Sequence, residues 1–270
     1  GALSAGSYNG LLFIDETTTG VGSTTRDLHL TLNDPGGSGG SGGGSNNGEW
    51  VKPGPDNTGP TAPGLLVPPG SITVTQDGAV IENVSVSGSI TVKAANVTIR
   101  NFRIHGGGNA SGGGSSYGIN VKSMASNVLI EDGEIHAIAS AGILGADFTA
   151  RRLNIHHSGG DGIKTTSNNL VESCWMHHLG MNPGSHADGN QTRSGSNITF
   201  RGNFFDMPVP ESAAGPGAPF NSNAAAINQA EIGDISNMVF DRNWMNGGNY
   251  TLFITAKNGY TFDACTVTQN

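Results

Sequence analysis

Cysteine is scarce: Cys174 and Cys265 are the only two in a chain of 270 residues. Two thiols cannot build the disulfide framework of a small stapled domain. Charge is scarce too, at 13% of residues, and aromatic residues make up 6%. Within that charge the basic residues are the minority, 13 against 21 acidic ones, for a formal net charge of −8. A phosphate backbone needs a basic face, so nucleic acid is excluded as an expected partner. No apolar run approaches the ~18 residues of a membrane-spanning helix. No heptad stretch rich in Ala, Glu, Lys, Leu and Arg is present, which excludes a coiled coil. Glycine, by contrast, is abundant, with 43 residues. It has no G-X-Y period, so collagen is excluded. Low charge with regularly scattered Val, Ile and Phe argues against disorder. What is left is an all-β protein with many turns.

The chain divides by composition. Residues 36–45 read GGSGGSGGGS, and 36–48 is a flexible Gly/Ser linker. Before it, in residues 1–35, the run Leu11 to Ile14 and the alternating Leu28, Leu30 and Leu32 read as strands. So short a segment cannot bury a useful core alone. It is either the end of a truncated accessory β-domain or the terminal segment of a circular permutant whose linker joins the former ends. Residues 53–70 carry Pro53, Pro55, Pro60, Pro63, Pro68 and Pro69, an extended entry to the main region, 49–270.

That region repeats. NVTIRNFRI (96–104), NVLIEDGEI (127–135), NLVESCWM (169–176), NITFRGNFF (197–205) and NMVFDRNWM (237–245) each begin with Asn and then alternate apolar with polar residues. AVIENVSV (79–86) and FTARRLNI (148–155) fit closely, and TFDACTV (261–267) more loosely. A second block recurs between them: YGIN (117–120), AGIL (141–144), DGIK (161–164), DGNQ (188–191) and AAIN (225–228). A core period of about 20 residues with insertions is the signature of a solenoid. Alternation at every second residue excludes helical solenoids, and the L-x-x-L-x-L frame of leucine-rich repeats is absent. The expected fold is an all-β, right-handed parallel β-helix of about eight coils stacked at ~4.8 Å. Asn96, Asn127, Asn169, Asn197 and Asn237 are expected to form a ladder in a turn, where Asn tolerates left-handed backbone. Cys174 and Cys265 fall in one column three coils apart, too far for a bridge, so both are expected to be free and buried.

Stacking the coils sorts the polar residues. Gly162 under Gly189 places Asp161 under Asp188 and Lys164 under Gln191. Alternation turns Asn120, Lys122, Lys164, Thr166, Gln191, Arg193 and Asn228 outward on one sheet. A second column follows the last strand of each coil: His105, His136, His156 and His177, then Asp206, with His157 and His178 next in two coils. His186 lies beside Asp188 in GSHADGNQ. Asp-Gly is also ordinary turn chemistry, and a His column is also a structural ladder. Two stacked carboxylates, however, repel unless they share a cation or a proton. No HExxH or Cys/His spacing supports zinc.

The stretches NVTIRNFRI, SNVLIEDGEI, GGDGIK, SHADGNQ and SGSNITFRGNFF resemble the right-handed parallel β-helix proteins of the pectate-lyase-like superfamily, over roughly residues 64–270. The resemblance implies a secreted, bacterial, carbohydrate-active enzyme, monomeric, acting on an acidic polysaccharide. The first expectation is a polysaccharide lyase cleaving a uronate polymer by β-elimination. On that reading Asp161 and Asp188 hold Ca²⁺ through hard oxygen ligands. Lys164 is the base, Arg193 binds the substrate carboxylate, and His178 or His186 is the acid or a substrate hydrogen-bond partner. Asn120, Gln191, Asn228 and His157 line the substrate. The N-T-D, G-D-D, G-H-G and R-I-K motifs of the polygalacturonate-hydrolysing branch are absent. The same residues also allow a glycoside hydrolase with Asp161 and Asp188 as its acid and base. A third reading is a non-catalytic carbohydrate-binding or adhesin β-helix.

Overall fold

The computed structural model describes residues 12–15, 29–31, 50–62, 64, 70–108, 114–182, 184–207 and 221–270, the first two stretches as backbone only. Among them there is no helix, and hence none long and apolar enough to cross a membrane. The strands form two large sheets in which neighbours run parallel.

One sheet has nine strands. In spatial order they are β3 (Ile72–Val74), β5 (Ile90–Val92), β7 (Tyr117–Val121), β9 (Ala141–Gly145), β12 (Asp161–Thr165), β15 (Ala187–Thr192), β18 (Ser222–Ala230), β21 (Tyr250–Ala256) and β1 (Leu12–Asp15). The other sheet starts with β4 (Val80–Ser87), β6 (Thr98–His105) and the long β8 (Val128–His136), and then forks. The first half of β8 continues into β10 (Phe148–Arg151), β13 (Asn169–Glu172), β16 (Gly195–Arg201), β19 (Ile235–Asp241), β22 (Phe262–Thr268) and β2 (His29–Thr31). Its second half continues into β11 (Asn154–His156), β14 (Trp175–His177), β17 (Phe204–Asp206) and β20 (Trp244–Asn246). Each strand thus pairs mainly with the equivalent strand of the coils before and after it, which is the pairing of a β-solenoid.

The repeats seen in the sequence are its rungs. Val86, Ile104, Ile135, Ile155, Met176 and Phe205 occupy one register and are all buried. Burying side chains of this size contributes roughly 1.5–3 kcal/mol each. Two columns of left-handed residues turn the chain between faces. At one, φ is 57° at Asn96, 51° at Asn127, 54° at Asn168, 58° at Asn197 and 51° at Asn237. Their amides form the expected ladder: Asn127 donates to Asn96 (2.8 Å), Asn197 to Asn168 (3.0 Å) and Asn237 to Asn197 (2.8 Å). Asn168, not Asn169, holds the position. Asn169 pairs with Ile198 on the inward face, and its Oδ1 accepts the Thr166 amide at 3.1 Å. The second left-handed column, Asn83, Asn101, Asp132, Arg152, Ser173 and Arg242, lies where the long strands bend or fork.

The two cysteines are free and buried, but they do not share a column. Cys265 pairs with Met238, in the stack of β19 and β22. Cys174 lies past the bend at Ser173, and its amide donates to Asn203 Oδ1 at 2.9 Å. The loose match of TFDACTV to the other blocks misplaced it: Val267 pairs with Phe240, before the bend, and not with Met245 after it.

Candidate functional site

The outer column of the nine-stranded sheet is built by a departure from strict alternation. In β12 and its neighbours the pairing passes from Asp161 to Ile163 and skips Gly162, as it skips Gly142 and Gly118 in β9 and β7. A Cβ on Gly162 would lie 2.6 Å from the Gly189 carbonyl and 3.2 Å from the core side chains of Met176 and Leu179. The glycine therefore faces the interior, and Asp161 on one side and Lys164 on the other share the outer face. The same device recurs at Gly189, whose Cβ would meet the Ala225 carbonyl at 2.4 Å and Phe205 at 2.5 Å. A recurring glycine is thus what turns each Asp of an Asp-Gly pair outward.

Register puts Ile163 beside Asn190 and Lys164 beside Gln191, so Asp161 and Asp188 stack on adjacent strands. Their groups interlock. Asp161 Oδ1 accepts the Asp188 amide at 2.8 Å, and Asp161 Oδ2 is ion-paired with Lys164 Nζ. Lys164 Nζ also donates to Gln191 Oε1 at 2.7 Å. Asp188 Oδ1 accepts from Asn223 Nδ2 at 3.0 Å. Asp161 is 4% exposed and Asp188 1%. Burial raises the pKa of both carboxyls. For Asp161 the Lys164 ammonium and the Asp188 amide counter that rise. Asp188 is driven well above the usual carboxylate range by burial and then by the charge of Asp161. Asp188 is therefore the member of the pair that keeps a proton.

Of the residues expected on this face, Asn120, Lys164 and Gln191 share one outward column, with Leu144 between the first two. Arg193 falls just past the end of β15, is exposed, and is ion-paired with Glu231. Asn228 is not on the face. It pairs with Thr192 rather than Gln191, and it is fully buried. Ala224, not Ala225, stands beside Asp188, with Asn223 extra between Ser222 and Ala224, and a one-residue error of frame turns every side chain over. Ile227 takes the outward place beside Gln191. Asn228 joins an interior polar network in which Asn190 Nδ2 reaches Thr192 (3.0 Å) and Asn228 (3.3 Å), and Thr165 meets Thr192 at 2.7 Å. Neither this network behind Lys164 nor Asn223 was visible to sequence reasoning.

The His column forms as the repeats predict: His105, His136, His156 and His177 lie in register, with Asp206 beyond. His136 and His156 stack at 5.2 Å, His156 and His177 at 5.0 Å, and Trp175 lies 3.6 Å from His177. His157 and His178 follow with left-handed backbone, φ 51° and 49°, and stack on each other at 5.3 Å. Burial, then the neighbouring His156, pushes His136 down to about 4 and His177 to about 3. Hydrogen bonding to His156 lowers Glu134 to about 2. His186 is exposed, two residues before Asp188. Among the described residues no group of three or more His, Cys, Asp or Glu side chains converges to hold a metal ion.

Fold and site together define an all-β protein with two large parallel sheets, bearing a buried carboxyl pair on an outer column. Comparison of the chain with protein-family models, with curated proteins and with solved structures yields no match.

Proposed function

We propose that the chain is a secreted carbohydrate-active enzyme, a right-handed parallel β-helix of about eight coils of the kind its repeats resemble. On this reading it cleaves glycosidic bonds with Asp161 and Asp188 as the acid–base pair. The observation that carries the proposal is the unequal environment of two stacked carboxyls. Lys164 is ion-paired with Asp161, and Asp188 bears the repulsion. Glycoside hydrolysis needs this inequality: one carboxyl protonated, its partner ionised. Strand spacing of ~4.8 Å is close to the short carboxyl separation of the retaining mechanism. Asp188 gives its proton to the departing oxygen while Asp161 attacks the anomeric carbon. Water then releases the sugar from Asp161 and returns a proton to Asp188.

β-Elimination ranks second on this geometry. Lys164 as a base would have to release the contacts its nitrogen makes with Asp161 and Gln191. Ca²⁺ on the two aspartates would compete with Lys164 and Asn223 for the same oxygens. Arg193 would have to leave Glu231 to clamp a substrate carboxylate.

The test is a panel of neutral and uronate polysaccharides, with and without Ca²⁺, read for new reducing ends and for the ultraviolet absorbance of unsaturated uronate. Reducing ends without that absorbance are expected, and Asp188→Asn should lower the rate about 10²–10⁴-fold. An absorbing product lost in Lys164→Met would replace the hydrolase with a lyase. Binding without any cleavage across the panel would replace both with a carbohydrate-binding module.

A further inference from the structure

The pairing of β15 with β18 carries a bulge beside the two carboxyls. Ala187 stands beside Ser222 and Asp188 beside Ala224, so Asn223 has no partner in the register. A bulge re-aims the side chain it carries, and bulges gather next to active sites. Here the extra side chain is aimed at an acid: Asn223 Nδ2 donates to Asp188 Oδ1 at 3.0 Å. The backbone of Asn223 has a separate role, since its carbonyl accepts the Asn249 amide at 2.7 Å. The side chain itself is therefore spare for Asp188.

The two carboxyls are served in parallel ways that differ by one charge. Among the described residues each has one side-chain partner in contact: the Lys164 ammonium for Asp161, the Asn223 amide for Asp188. An ammonium in contact favours the ionised carboxyl, whereas an amide binds a carboxyl oxygen without bringing a charge. The other charged groups acting on Asp188 are Asp161 and Lys164, both on β12. His186 lies two residues before it, β18 has no titratable side chain, and Tyr250 stands one strand further, beside Ala224. With Oδ1 held as an acceptor, the proton that Asp188 keeps stands on Oδ2.

We propose that Asn223 is a positioning residue for the general acid: it holds Asp188 by Oδ1 without ionising it, so that Oδ2 presents the proton to the departing sugar oxygen. The use of that proton rests on the carbohydrate-cleaving reading. Its place on Oδ2 rests on the hydrogen bond and the bulge alone. Asn223 acts through Asp188, so its side chain bears on the chemical step and not on the affinity for the sugar.

The test reads the carboxyl directly, by infrared difference spectroscopy of the full chain at neutral pH, alongside its kinetics. The protonated acid gives a carbonyl stretch that Asp188→Asn removes. In Asn223→Ala that band should remain and move to higher frequency, because its oxygen has lost a donor. The value of kcat should fall about tenfold, the worth of one hydrogen bond, with KM unchanged. Asn223→Lys puts an ammonium where the amide was, so the band should vanish and kcat should fall about 10²–10⁴-fold, as when the acid is lost. Native circular dichroism qualifies each variant, and should Asn223→Lys misfold, Asn223→Ala decides alone. No protonated band in the native chain, or a band unmoved in Asn223→Ala, overturns the proposal whatever the activity. The expected band shifts in a chain that cleaves no polysaccharide would support the hold of Asn223 on Asp188 and overturn the cleavage reading instead.

Discussion

At the residue scale, two kinds of position carry the most consequence: the inward glycines and the buried carboxyls. A methyl on Gly189 would stand 2.4 Å from the Ala225 carbonyl and 2.5 Å from the Phe205 ring. Neither backbone nor packed core gives way cheaply, so Gly189→Ala should cost about 1–3 kcal/mol in urea unfolding. It should also move Asp188 relative to Asp161. Asp188 makes the opposite prediction for its own replacement. Its folded pKa is raised, so between the unfolded carboxylate value and that raised value the native state holds more protons than the unfolded one. The stability this group contributes is full below about pH 4 and declines as pH rises through the folded pKa. Asp188→Asn mimics the protonated acid. Its urea midpoint should exceed that of the native chain by a margin that grows from about pH 4 toward neutrality, while activity is lost. A constant margin across that range would mean that Asp188 is not the proton-holding member. The thiols supply a third check: burial pushes Cys174 and Cys265 up to about 12. Both should resist alkylation near pH 8 until the chain is unfolded.

At the scale of the elements, the turn ladder does two jobs that substitution can separate. Asn197 has φ 58°, gives a hydrogen bond to Asn168 and receives one from Asn237. Asn197→Gly removes the side-chain bonds and keeps the backbone freedom, so it should cost little at this exposed site. Asn197→Ala adds the left-handed penalty of about 1–2 kcal/mol, and the difference between the two midpoints measures it. Such turns also explain how far the sequence was legible. The rungs repeat in apolar character, and every strong block, from Val86 to Met245, sits in the register the spacing implies. The stacking of Asp161 with Asp188 and of Lys164 with Gln191 followed from the same alignment. What failed was counting by one. Asn168 and Asn169 are adjacent and identical, and only the strand register decides which of them turns the corner. AAIN aligns with DGNQ one residue late, since Ala224 and not Ala225 pairs with Asp188, so Asn228 was assigned to the wrong face. Arg193 was assigned as a substrate clamp and Lys164 as a base without their partners, because ion pairing with Glu231 and Asp161 depends on side-chain reach, which periodicity does not encode.

At the scale of the whole molecule, the order of strands in space is not their order in sequence. The first two strands stand last, β1 alongside β21 and β2 alongside β22. Residues 50–62 then run back along the bend column. Trp50 lies under Arg242 at 5.6 Å, Lys52 over the Phe204 ring at 3.7 Å, and the Gly59 amide on the Arg152 carbonyl at 3.0 Å. The amides of Thr61 and Ala62 reach Asn101 Oδ1 at 2.9 and 3.0 Å. Arg242 in turn bonds the Thr268 carbonyl of β22, so Trp50 begins this return near the end that β2 occupies. The covalent connection from β2 to Trp50 holds the first strands at an effective concentration on the order of mM. Without them the backbone edges of β21 and β22 would be open to pairing with other chains. A protease site placed within residues 36–45 tests this division of labour. Cutting there should leave the two pieces co-eluting at micromolar concentration, because strand pairing rather than the linker holds them. The Tm should fall and become dependent on protein concentration, since closure of that end is then bimolecular. Separation of the pieces with an unchanged, concentration-independent Tm would mean that β1 and β2 contribute nothing to closing the solenoid.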